Sequence, residues 1–285
     1  MRSIVSAPIR AFADVISNAL RYGIGILPAG AFALVLNSLL AAAPASAQAP
    51  DGCSPAPPAP PSVFSAPPNI DLIKRQLIYY RCTQYDADIA AVLKDAQQWV
   101  ATRAPQVAKP AIVLDIDETS LSNWRRIYRD QFAYFAKGPC NFEQRGFCGD
   151  LEWQRSEQAS AIGPTLELYK FARCQGMAPP CRAVDVFFVT GRHEANEPID
   201  GKTPTQWTTE NLDKAGYHGL NPDHLYMRRK GFPGPVENFK TAARTEIEQK
   251  FDVTIIANVG DQDSDLIGGH AERTFKVPNP FYFIP

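Results

Sequence analysis

The strongest constraint on the fold is a set of short apolar runs that stop abruptly in polar residues. Ala111–Ile116 is the first, Val184–Thr190 the second, and Val253–Val259 the third. Runs this short and this continuous read as strands buried on both faces, as in a parallel sheet. His224–Met227 and Thr274–Val277 are shorter candidates. Helical patterns lie between them. From Ile70 to Ala104 the apolar residues Leu72, Ile73, Leu77, Ile89, Val92, Leu93, Trp99 and Val100 recur at helical spacing, which predicts one or two helices ended before Pro105. Pro164 opens a helix through Cys174, at a position where its missing N–H costs nothing. Two more helices are expected, from Thr203 to Ala215, stopped by Gly216, and from Asn238 to Lys250. Strands alternating with helices give an α/β fold, a Rossmann-like and mainly parallel sheet flanked by helices. Its strand C-termini should share one edge, where such folds keep their sites. A polar, aromatic, cysteine-bearing insert from about Leu121 to Ile162 interrupts the alternation.

The two ends of the chain differ in character. Residues 1–47 carry Arg2, Arg10 and Arg21 against a single acid, Asp14, and no cysteine. An almost wholly apolar stretch, Gly23–Ala43, precedes Ala45-Ser46-Ala47. A basic start, an apolar middle and an A-x-A end predict a secretory signal peptide over residues 1–47. The alternative is an uncleaved anchor, which Pro28, Asn37 and the A-x-A pattern disfavour. Residues 48–69 hold eight of the 25 prolines and read as an extended Pro/Ala linker. The folded domain is then expected over residues 70–285, with no membrane span left after cleavage.

All six cysteines (Cys53, Cys82, Cys140, Cys148, Cys174 and Cys181) fall after the leader. An even set in an exported chain predicts disulfides, and a periplasmic or secreted location. Cys140–Cys148 and Cys174–Cys181 bracket short loops and are the expected local bridges, leaving Cys53–Cys82. Zinc is the rival use, but no Cys-x-x-Cys pair and no histidine cluster supports it. The formal net charge of −1 argues against binding a nucleic-acid polymer through a basic surface. No residue pattern sets an oligomeric state.

The polar strand ends carry the chemistry. They read Asp115-Ile116-Asp117-Glu118-Thr119, Thr190-Gly191-Arg192, and Gly260-Asp261-Gln262-Asp263-Ser264-Asp265. Lys240 lies near the start of a helix between the last two. Asp115 and Asp117 are two apart, so in extended backbone they point the same way. Crowded carboxylates repel unless a cation sits among them. Oxygen-only ligands favour Mg²⁺. Thr190, the N–H that follows it, and Lys240 offer donors to a phosphate.

DIDETSLSNW, EWQRSEQASAIGPTLELYKFARCQGM, FFVTGRHE, NFKTAAR and NVGDQDSDL, in this order, resemble the haloacid dehalogenase (HAD) superfamily. The wider context is similar to its secreted acid phosphatases, subfamily IIIB, of the bacterial class C and plant vegetative-storage types. The resemblance implies a HAD fold with the insert at 121–162 as a small cap. It implies hydrolysis of a small-molecule phosphomonoester through an aspartyl phosphate. Asp115 would be the nucleophile and a metal ligand. Asp117 would be the general acid/base, with its backbone carbonyl on the metal. Thr190 and Gly191 would hold the phosphate, and Lys240 would neutralise it. Asp261 would complete the protein's Mg²⁺ ligands, and Asp265 would orient a metal-bound water from behind them. The cap aromatics Trp124, Tyr128, Phe132, Tyr134, Phe135 and Trp153 read as cap core before they read as a leaving-group platform. The rival function is a non-catalytic phosphate-ligand or storage protein of the same fold. Arg192-His193-Glu194 lacks the Gly and second Arg of a histidine-type phosphatase motif, and no phosphate-binding GxxxxGK[ST] loop occurs.

Overall fold

The chain leaves helix α1 (Ile70–Thr83) almost directly into α2 (Tyr85–Arg103), then enters the central strand β1 (Pro110–Leu114). The structure, a computed structural model, describes residues 51–62, 67–176, 181–195 and 197–284. The expected signal peptide and part of the expected linker lie outside the described residues. Among the described residues no helix is long and apolar enough to cross a membrane.

After β1 come β2 (Leu121–Ser122), α3 (Trp124–Arg129), α4 (Asp150–Ser156), β3 (Ser160–Ala161) and α5 (Gly163–Ala172). The second half runs β4 (Asp185–Glu194), α6 (Pro204–Lys214), β5 (Leu225–Arg229), α7 (Val236–Phe251), β6 (Thr254–Gly260), α8 (Asp263–Leu266) and β7 (Thr274–Lys276). The sheet order is β5-β4-β1-β6-β7, with every pairing parallel. The chain moves to one side of β1 through β4 and β5, then to the other through β6 and β7. That reversal leaves a crevice beyond the C-terminal end of β1, where ligands bind in such sheets.

Alternation along β1 sorts the core into two layers. Ile112 and Leu114 join Val186, Phe188 and Ile256 under α2 and α5. Ala111 and Val113 join Phe187, Val189 and Ile255 under Phe239, Ala243 and Ile247 of α7. The α6 start matches its sequence signal: Thr203 accepts from the Gln206 N–H, and Gln206 Oε1 accepts from the Thr203 N–H, a capping box. Gly216 follows this helix at φ +104°, a conformation that favours glycine.

Two of the boundaries that differ from the apolar pattern matter for the site. β1 stops at Leu114 rather than Ile116. The Ile116 carbonyl accepts from the Ser120 and Leu121 N–H groups, closing a tight turn with Glu118 at φ 58°. The extended-backbone argument for Asp115 and Asp117 therefore does not apply beyond Leu114. β4 runs on to Glu194, but its register with β5 shifts between Thr190 and His193. That irregularity re-aims Arg192, as bulges do beside active sites.

β2 and β3 pair antiparallel and bracket the insert, which leaves and rejoins the sheet domain through one two-stranded neck. Trp124 and Trp153 are buried, as the cap-core reading expects, while Tyr134 is 69% exposed. The three disulfides are Cys53–Cys82, Cys140–Cys148 and Cys174–Cys181, the expected set. The start of the expected linker is not a free spacer. Trp124 Nε1 donates to the Asp51 carbonyl at 2.9 Å, and Arg125 pairs with Asp51 at 3.0 Å. A Cβ at Gly52 would lie 2.5 Å from the Tyr128 ring. These contacts fasten residues 51–52 to helix α3, and the Cys53–Cys82 bond ties the next residue to α1.

Candidate active site

β1, β4 and β6 deliver Asp115, Thr190-Gly191-Arg192 and Asp261 to one edge, as the strand ends predict. Helix α7 adds Lys240 from its second turn, and α8 adds Asp265. Lys240 Nζ donates to Asp115 Oδ1 at 2.6 Å and to Asp265 Oδ1. All three side chains are buried. Burial alone would lower the Lys240 pKa, but the Asp115 and Asp265 carboxylates reverse this and raise it. Lys240 is therefore a fixed positive charge.

Oxygens of Asp115, Asp261 and Asp265 lie within 4.8 Å of one another, so each offers a ligand atom to one cation. Burial raises the Asp115 carboxyl, and repulsion from Asp265 adds to it against the pull of Lys240. Burial and Asp265 also push Asp261 up to about 6, opposed by Asn279 and Gln262. Three mutually repelling, oxygen-only carboxylates fit a hard divalent cation. The Asp261 oxygens are held by Thr119 Oγ1 at 3.0 Å, Gln262 Nε2 at 2.6 Å and Asn279 Nδ2 at 2.7 Å. Asp265 is fixed too, since its Oδ2 accepts from the Gln262 N–H at 2.8 Å. Its carbonyl accepts from Arg244 Nη1 at 2.7 Å and Asn258 Nδ2 at 2.8 Å. A Cβ at Gly260 would lie 2.3 Å from the Asp265 Cβ, so Gly260 lets Asp265 come close. Asp265, expected behind the ligands, thus places a carboxylate within the candidate cluster.

The Asp117 carboxylate is not in that cluster. Arg192 grips it in a fork, Nη2 to Oδ1 at 2.6 Å and Nε to Oδ2 at 3.0 Å. Asn123 Nδ2 adds a bond to Oδ1 at 2.8 Å. Burial opposes ionisation of Asp117, but Arg192 and Asn123, helped by Arg126, outweigh it and lower its pKa. The side chain is 27% exposed, so it faces the opening. Thr190 is buried, and its Oγ1 accepts from the Arg192 N–H at 3.1 Å. A Cβ at Gly191 would stand 3.2 Å from Val236.

Sequence reasoning misses several partners. Arg192 enters it as the cation that follows Thr-Gly at a strand end, but with no role assigned. Asn123 bonds Asp117 and also Glu118, and its Oδ1 accepts from Trp153 Nε1 at 2.6 Å. Glu118 accepts from the Asn123 N–H at 2.5 Å and Tyr282 Oη at 2.7 Å. Burial and the neighbouring Asp117 push its carboxyl up to about 7. Tyr282 and Asn279 lie in an irregular tail that carries no motif.

A family model described as HAD superfamily, subfamily IIIB (acid phosphatase), matches residues 69–285. The chain is 30% identical to a stem 28 kDa glycoprotein of Glycine max over 72% of each chain. It is 29% identical to acid phosphatase 1 of Solanum lycopersicum, over 60% of this chain and 58% of that one. It is 26% identical to vegetative storage protein 1 of Arabidopsis thaliana, over 71% of this chain and 66% of that one. Among solved structures, the class C acid phosphatase of Bacillus anthracis matches in fold, with a TM-score of 0.54 at 19% identity. That match covers 74% of this chain and 86% of that one.

Proposed function

Because the chain belongs to the HAD superfamily, subfamily IIIB of acid phosphatases, we propose that it is an exported, Mg²⁺-dependent phosphatase. It hydrolyses small phosphomonoesters through an aspartyl phosphate. The observation that carries this reading is the separation of two aspartates onto two cations: Asp115 on Lys240, and Asp117 on Arg192.

In this reading Asp115 Oδ attacks phosphorus, and the ester oxygen leaves on the opposite side. Lys240, held between Asp115 and Asp265, neutralises the incoming phosphate. The Thr190 hydroxyl and the Gly191 N–H bind its other oxygens. Asp117, at the opening, gives its proton to the leaving alkoxide and then takes one from the attacking water. Arg192 lowers the Asp117 pKa, so loading that proton favours acid conditions. Asp115, Asp261, Asp265 and the Asp117 carbonyl are the groups available to hold Mg²⁺ or orient its water. When bound, the ion relieves repulsion between the carboxylate nucleophile and the phosphate.

Three disulfides support export, with cleavage after Ala47 and a linker leading to residue 70. Intact mass of exported protein beginning at Gln48 tests that part. The enzymatic part is tested with 4-nitrophenyl phosphate. Phosphate release should need Mg²⁺ and stop with EDTA. Asp115→Asn should lower kcat about a thousandfold or more while leaving the circular dichroism unchanged. Wild-type rates in Asp115→Asn would sink the mechanism, and no turnover by the wild-type protein would favour a storage role.

A further inference from the structure

One buried cation in the cap touches the chemistry only through its minor pull on the Asp117 carboxyl. Arg126, on α3, is only 6% exposed, yet its Nε has no hydrogen-bond partner. Its other nitrogens reach Asp150 at 3.4 Å and Asp130 at 3.9 Å, long for charge-assisted bonds. Asp130 Oδ2 is itself buried without a hydrogen-bond partner. A guanidinium offers five donors, and leaving them unused away from water is costly. Arg192 is the contrast, since its fork is fully engaged by Asp117.

The position of Arg126 gives those donors a direction. Asn123, which bonds Asp117, precedes it by three residues at the start of the same helix, so the two share a side. Arg126 is close enough to Asp117 to help hold its carboxyl down. The exposed Tyr134 ring lies 6.0 Å from the Arg126 guanidinium, within electrostatic reach of both Asp150 and Asp117. The neighbouring arginines are committed elsewhere, Arg125 at 4.0 Å and Arg129 at 4.8 Å over the Phe142 ring.

We propose that Arg126 determines specificity by binding a second anionic group, a carboxylate or a phosphate, carried on the leaving-group side of the phosphomonoester. The proposal rests on the phosphatase reading. Asp117 marks where the leaving oxygen departs, and Arg126 stands on the cap beside it. A bound anion supplies the close partner that Asp150 and Asp130 do not.

The test compares three-carbon esters with the full-length exported protein and Mg²⁺. Glycerol 3-phosphate carries no second anion, 3-phosphoglycerate adds a carboxylate, and glycerol 1,3-bisphosphate adds a phosphate. The readout is the ratio of kcat/KM to that for glycerol 3-phosphate, so a general loss of activity cancels. The wild-type ratio should be about tenfold or more for at least one two-anion substrate, and which one identifies the anion. Arg126→Met should bring the ratio to near one. Arg126→Lys, which keeps the charge and loses the fork, should fall between. A wild-type ratio near one for both substrates overturns the proposal, as does a ratio unchanged in Arg126→Met. Should Arg126→Met fail to fold, a wild-type ratio retained in full by Arg126→Lys overturns it instead. Equal release from all three substrates removes only the role of Arg126. Release from none of them, nor from 4-nitrophenyl phosphate, removes the phosphatase reading with it.

Discussion

Replacing Glu118 by Gln should change how stability depends on pH. Glu118 is 1% exposed, and burial and Asp117 move its pKa from 4.5 to about 7 despite bonds from Tyr282 and Asn123. Between these values the unfolded chain has released the proton and the folded protein still holds it. Stability from this group is therefore full below pH 4.5 and is lost as pH rises through about 7. The distance between those two values corresponds to roughly 3 kcal/mol across that window. The glutamine of the variant stays neutral and lacks that slope. It also presents an amide N–H to groups that now donate, so the variant starts less stable in acid, by about 1–2 kcal/mol. Urea unfolding followed by tryptophan fluorescence, in EDTA and without reductant, gives both stabilities from about pH 4.5 to about pH 7.5, the window that the two values span. The difference between variant and wild type should move in favour of Glu118→Gln by about 3 kcal/mol as pH rises. A difference that stays flat within about 0.5 kcal/mol would refute the raised pKa of Glu118.

Lys240→Met should lower stability at neutral pH by about 3–5 kcal/mol, because it strands Asp115 and Asp265 as buried, unpaired carboxylates. The loss should shrink in acid, where the raised Asp115 carboxyl takes up a proton, and equal urea midpoints at neutral pH would contradict the ion-pair geometry. Replacing Cys53 and Cys82 by Ser should cost about 3.5 kcal/mol, and replacing Cys140 and Cys148 about 2.5 kcal/mol, from loop closures spanning 29 and 8 residues. The reverse order in urea denaturation would mean that native contacts, not chain entropy, dominate. Arg192→Lys removes the fork that orients Asp117 and should lower kcat for 4-nitrophenyl phosphate by about tenfold or more at fixed pH. A kcat within about twofold of wild type would leave Arg192 without a positioning role.

What was legible in the sequence is what periodicity and strand ends encode. The continuous runs around Val113, Phe187 and Ile256 place three parallel strands because each is covered on both faces. Burial on both faces leaves no polar residue to disguise the pattern. Asp115, Thr190, Asp261 and Lys240 followed because a strand end or helix start fixes where a side chain can go. The turn was not legible in the same way. Ile116 is as apolar as the strand before it, and only the hydrogen bonds from Ser120 and Leu121 to its carbonyl end the extended backbone at Leu114. That early exit sends Asp115 toward α7 and leaves Asp117 to Arg192. Nor could spacing reveal Glu118, because its surroundings include Tyr282, 164 residues away, and an Asn123 amide held in place by Trp153 of the cap. Long-range partners of this kind carry no period. Asn123 joins Asp117, Glu118 and Trp153, so the insert is hydrogen-bonded to Asp117 through the start of α3. Residues 51–53, fastened to that same helix by Asp51 and to α1 by the Cys53–Cys82 bond, belong mechanically to the site although they lie in the stretch that reads as linker.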